Sequence, residues 1–156
     1  MGNEQQEIHV PFKTLFKETF EGQESSGSWY TNSEPNCGLF GTIERINARE
    51  ASMILSSSES SIAAHVHHTL YYLQVFSAQL LNEDRQIDWS LSWKIHEVDE
   101  GTWQAFKSQL REEYENLLTI LDNLEWNELR MKQAAAGLAH SAYHLGSLRQ
   151  IINQLD

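Results

Sequence analysis

Two histidines, His140 and His144, stand four positions apart in the stretch GLAHSAYHLGSLRQI at 137–151. On a helix that spacing puts both imidazoles on one face, which is the layout of half a metal site. It is also the layout of two core residues packed one turn apart, so the pair needs its surroundings. With Gly137 at zero and about 100° per residue, Ser141, Leu145, Leu148, Ile152 and Leu155 form a stripe between about 0° and 80°. On the same wheel His144 lies near about 340° and His140 near about 300°, both beside the apolar face.

A second cluster, AAHVHHTLYYL, begins at Ala63. With Ile62 at zero, Val66, Leu70, Leu73 and Leu80 define its stripe, and His65 falls near about 300° and His68 near about 240°. Tyr72 and Phe76 continue that edge, while His67, near about 140°, belongs to another, solvated side. Either His65 or His68 can therefore face a neighbouring helix. One of them with His140 and His144 makes three imidazoles from two elements. Three neutral imidazoles suit Zn²⁺, Ni²⁺, Fe²⁺ or Cu²⁺ and leave a coordination position for water or substrate. No HExxH occurs, so the helical zinc-protease base is absent.

These clusters need long helices, and the chain provides them. Phe12, Leu15, Phe16 and Phe20 make one apolar stripe. Residues 22–38 are rich in Ser, Gly and Asn and read as a loop, with Trp29 and Tyr30 as anchors against the body. Leu39, Ile43 and Ile46 suggest a short helix, and Asn47 with Glu50 resembles a capping box. SSSESS at 56–61 is a cap region from which a helix runs to about Leu81. The mixed segment that follows holds Trp89 and Trp93, whose faces cover one end of the domain. A further helix spans about Asp99 to Leu121, with Trp103, Phe106, Leu110, Tyr114, Leu117, Leu118 and Leu121 inward. After a connection within 124–132, the last helix runs to about Leu155. No strand-like alternation of useful length appears, and the expected fold is an all-α four-helix bundle formed by residues 1–156 as one domain.

Composition limits the partners. Eleven basic against 22 acidic residues give a net charge of −11, which argues against a nucleic-acid backbone as ligand. Cys37 is the single cysteine, so an internal disulfide is excluded and a surface or half-buried thiol is expected. No signal peptide is recognised at the N-terminus, and the uncharged run from Ser60 to Asn82 reads as amphipathic rather than membrane-spanning. The expected compartment is the cytoplasm.

SIAAHVHHTLYYL, DWSLSW and GLAHSAYHLGSLRQI together resemble the DinB/YfiT-like superfamily of small bacterial helical proteins. Taken with the order of helices, the resemblance covers nearly the whole chain, although only these segments are specific. It implies a divalent metal, commonly zinc or nickel, on three histidines: one on the second main helix and two on the last. Carried over by position these are His68, His140 and His144, with His65 as the rival of His68, a supporting group or a fourth contact. Where the family often has Gly-Gln after the last histidine, this chain has Gly146-Ser147.

The resemblance further implies a left-handed bundle in up-down-down-up order, its second and third main helices joined by a long link. Residues 81–98 can supply that link. Homodimers are frequent in the superfamily. Its implied activity is metal-dependent transfer of a low-molecular-weight thiol to an electrophile. The alternatives are a metal-dependent hydrolase and a non-catalytic metal-binding dimeric bundle. A general acid or base is not evident, because Glu44, Glu50 and Glu97 suit solvated or capping roles. Trp29, Trp89 and Trp93 could line a pocket mouth or close the ends of the bundle.

Overall fold

The computed structural model describes residues 7–24 and 27–155. Among them the chain is all-helical, and the one β pairing is an isolated bridge between Glu24 and Gly27. Helix α1 is His9–Glu21, α2 Leu39–Glu44, α3 Ala48–Ala51, α4 Ile62–Leu80, α5 Trp89–Ser92, α6 Glu100–Asn123 and α7 Glu128–Ile152.

Local chemistry sets most boundaries. Side chains of Asn47, Ser61, Asp88, Asp99 and Asn127 each accept a backbone N–H at the start of α3 to α7 in turn, satisfying a donor the helix cannot. The Asn47–Glu50 capping box is present. Helix α1 begins before the Phe12 stripe. Pro11 is accommodated because it sits in the first turn, where an N–H has no intrahelical partner. The connection before α7 covers 124–127, within the expected span, and ends where Asn127 caps the helix.

The long helices α1, α4, α6 and α7 pack on one another, α4 against both α6 and α7, and α1 against the same two. Phe16 and Phe20 from α1, Leu73 and Leu80 from α4, Trp103, Leu110, Tyr114 and Leu117 from α6 and Leu148 from α7 share the core. The indole N–H of fully buried Trp103 donates to the Ile46 carbonyl at 2.6 Å, tying α6 to the α2–α3 turn. At Gly137 the backbone of α7 comes so near α4 that an added Cβ would lie 2.7 Å from Cε1 of Phe76. The link between α4 and α6 is long, as expected, and contains α5.

Two sequence expectations need correction. Trp29 is 75% exposed and does not anchor the loop, and the ring of Tyr30 is partly exposed, tied to the body through the hydrogen bond of its hydroxyl with buried Thr19. Buried Glu18 does most to hold that loop. Its carboxylate accepts the backbone N–H groups of Trp29, Tyr30 and Thr31 at 2.8, 3.0 and 2.8 Å, and the hydroxyls of Ser28 and Thr31 at 2.7 Å each. Cys37 is buried rather than at the surface, with Sγ 3.4 Å from Thr31 Oγ1 and 3.5 Å from the Asn32 carbonyl. Among the described residues no helix is long and apolar enough to cross a membrane.

Candidate metal centre

The contact between α4 and α7 brings His68, His140 and His144 together. One ring nitrogen from each lies within 4.8 Å of the others, and the group is largely buried. The Nε2 atoms of His68 and His140 are 3.2 Å apart. Two nitrogens about 2.05 Å from a tetrahedral zinc would be separated by about 3.3 Å, so this edge already has coordination spacing.

Neighbouring rings fix the imidazole planes. Trp93 stacks on His68 with centroids 4.1 Å apart and planes 17° off parallel. Tyr72 stacks on His140 at 3.5 Å and 12°. Trp93 also meets His65 edge-on at 5.2 Å. Trp93 thus packs against the histidines themselves, while Trp89 is 44% exposed beside Tyr72.

Hydrogen bonds fix which nitrogen of His68 faces the cluster. The hydroxyl of buried Ser92 donates to the Trp89 carbonyl at 2.7 Å, leaving its lone pair to accept Nδ1–H of His68 at 2.9 Å. Nε2 of His68 then carries the free lone pair and points at His140. Metal-binding histidines are commonly oriented by such a partner on the far ring nitrogen. The Ser92 carbonyl also accepts Nδ1–H of His67 at 3.0 Å. His67 is therefore only half exposed, with its ring against Phe106, and not the freely solvated residue that helical phase suggests. Its side of α4 is covered by α5 and α6.

His65 is not among the three convergent groups. Its Nδ1 lies 3.2 Å from Nδ1 of His144, so it supports that ring one turn before His68 on α4. Ser92 was missed from sequence because the tryptophans dominate DWSLSW. The available signal was a serine at the end of a short Asp-capped helix, a position that must fold back onto α4.

Burial keeps these imidazoles neutral. Desolvation, reinforced by neighbouring histidines, pushes His68 down to about 4 and His144 to about 3, and desolvation alone pushes His140 to about 4. Burial lowers His65 as well. At neutral pH all three convergent rings therefore offer lone pairs rather than positive charge. Three neutral nitrogens fit a borderline divalent cation. Nδ1 of His140, on the side of the ring away from its Nε2 contact with His68, is buried with no partner among the described residues, so this ring lacks the orienting hydrogen bond that His68 has.

A cleft of about 930 Å³ lies on the outer side of His65 and Trp93, lined also by Ser58, Glu59, Tyr143, Ser147 and Gln150; the three convergent histidines sit behind that wall and do not line it. Its walls are chiefly hydroxyl, amide and aromatic. Neither Trp29 nor Trp89 lines it. Glu50 is engaged in the capping box, leaving no carboxylate of the three considered from sequence beside the histidines. Comparison of the chain with family models, with curated proteins and with solved structures returns no match.

Proposed function

We propose that the chain is a divalent-metal-dependent enzyme of the DinB/YfiT-like superfamily, with His68, His140 and His144 holding zinc or nickel. The observation that carries this reading is the convergence of three neutral ring nitrogens from α4 and α7, two of them already at coordination spacing. In the same reading the four long helices form a left-handed bundle in up-down-down-up order. Their mutual contacts and the long α4–α6 link support it. A cytoplasmic homodimer completes the assignment.

The reaction proposed is transfer of a low-molecular-weight thiol to an electrophile. The bound metal would supply Lewis acidity, lowering the pKa of a thiol and favouring its thiolate. Three protein ligands leave room for such a group, whereas a purely structural site is closed by four. The cleft beside His65 and Trp93, separated from the three ligands by those two rings, offers space for a second substrate. Ser92 and His65 orient the rings of His68 and His144. Trp93 and Tyr72 shield the faces of His68 and His140 from water.

The test is metal analysis of protein purified without an affinity tag, beside His68→Ala and His140→Ala. The expected result is a stoichiometric divalent metal that is lost in both variants. Wild-type metal content in both folded variants would overturn the assignment. A screen of physiological thiols against electrophiles then tests the reaction, with ester and amide hydrolysis as the competing outcome.

A further inference from the structure

A second cleft, of about 780 Å³, lies on another side of the C-terminal end of α7. It is lined by Arg149 of α7, Arg111 of α6 and Arg45 at the end of α2. Only six arginines occur in the chain, so half of them meet in one cavity of a protein whose net charge is −11. A smaller groove shares Phe40, Glu44 and Arg111 with it and adds Lys107.

Helix dipoles explain why Arg45 and Arg149 are basic, since both sit at helix C-termini. They do not explain Arg111, which lies in the middle of α6. Its guanidinium is 4.0 Å from the centre of the Phe40 ring, a stacked position that leaves the N–H edge available. Among the described residues neither Arg45 nor Arg111 has a carboxylate within 4.0 Å, and Arg149 reaches Glu34 only at that limit. Of the cleft's other carboxylates, Glu21 already accepts the Tyr114 hydroxyl at 2.8 Å, and Glu44 is exposed at the rim, as are Arg45 and Arg111. Three cations from three elements, two without an ionic partner, face a space within the volume range of small-molecule pockets.

We propose that this cleft binds a small polyanion carrying two or more phosphate or carboxylate groups, recognised by Arg45, Arg111 and Arg149 over the apolar face of Phe40. Guanidinium forks match both anions in geometry, and their spread over three elements favours a ligand with several anionic groups over a single ion. The site is distinct from the metal centre: around the end of α7 it is lined by Arg149, Ile152 and Asn153, while the cleft beside His65 is lined there by Gln150, Ile151 and Gln154, and no residue lines both.

Calorimetric titration of the full chain with inorganic pyrophosphate, ATP and citrate tests the proposal. Saturable one-to-one binding by at least one probe is expected, weakened about tenfold or more by Arg111→Gln or Arg45→Gln. Arg85→Gln and His140→Ala should leave it unchanged. Binding of pyrophosphate or ATP alone identifies phosphate as the group recognised, and binding of citrate alone identifies carboxylate. Absence of saturable binding by all three probes overturns the site. So does equal weakening by Arg85→Gln, which means non-specific charge, or loss in His140→Ala, which means chelation at the metal centre.

Discussion

Nε2 of His68 and Nε2 of His140 lie 3.2 Å apart across the α4–α7 contact, while Nδ1 of His68 is held by Ser92. The ring is thereby turned so that its lone pair meets the second imidazole. Adjacent His67 is tied by the same serine's carbonyl and points elsewhere. His68→Ala and His140→Ala should each lower zinc affinity by more than ~100-fold, beyond the usual cost of losing an outer partner. His67→Ala should stay close to wild type. Competition titration against a chromogenic chelator measures all three, and equal losses in His67→Ala and His68→Ala would contradict the assignment.

Ser92→Ala removes the acceptor for Nδ1–H of His68 without touching a convergent nitrogen. Zinc affinity is expected to fall ~10–100-fold. Ser90→Ala, which loses only an exposed contact to Asp88, should not change it. Nitrogen chemical shifts of the His68 ring supply an independent readout, since wild type should show the Nδ1–H tautomer and Ser92→Ala a mixture.

The carboxylate of Glu18 accepts five hydrogen bonds from residues 28–31. Burial pushes its pKa up, but the donors, led by the Tyr30 N–H, outweigh this and hold it at about 2, below its ordinary 4.5. Between those values the unfolded chain binds the proton and the folded chain does not. This contribution to stability is therefore full above pH 4.5 and disappears as pH falls toward about 2. Glu18→Gln places an amide among donors and should cost about 2–4 kcal/mol at pH 7. Urea unfolding at pH 7, 4.5 and 3 should show a smaller loss of stability with acid in the variant than in wild type.

Helical periodicity made the α4 and α7 stripes legible because long helices with apolar faces leave a 3.6-residue signature in single residues. It placed His65, His68, His140 and His144 near the right surface, and the structure brings the last three together. It misjudged His67, since phase shows which side a residue takes but not what covers that side. The Glu18 clamp was invisible for a related reason. A glutamate beside an apolar stripe reads as solvated until a loop about ten residues later folds its backbone donors over it. Ser92 depends on the same kind of non-local return, from a short helix that packs on α4 through few residues.

Gly137 tests whether the helix spacing itself sets the centre. In an ordinary helix interior Gly→Ala gains about 1 kcal/mol from backbone entropy and propensity. Here the new Cβ would lie 2.7 Å from both Cε1 and Cζ of Phe76, a ring pinned between Phe16 and Tyr72. The sign should reverse, to a net loss of about 1–3 kcal/mol from overpacking. Displaced Phe76 pushes Tyr72, and Tyr72 is stacked on His140, so zinc affinity should fall with stability. Phe76→Leu in the Gly137→Ala background removes the colliding ring edge and should recover part of both losses. A double-mutant cycle read by urea unfolding and by zinc titration measures the coupling. Additive effects, or a more stable Gly137→Ala protein, would show that the Gly137–Phe76 contact does not set the distance between the two histidine-bearing helices.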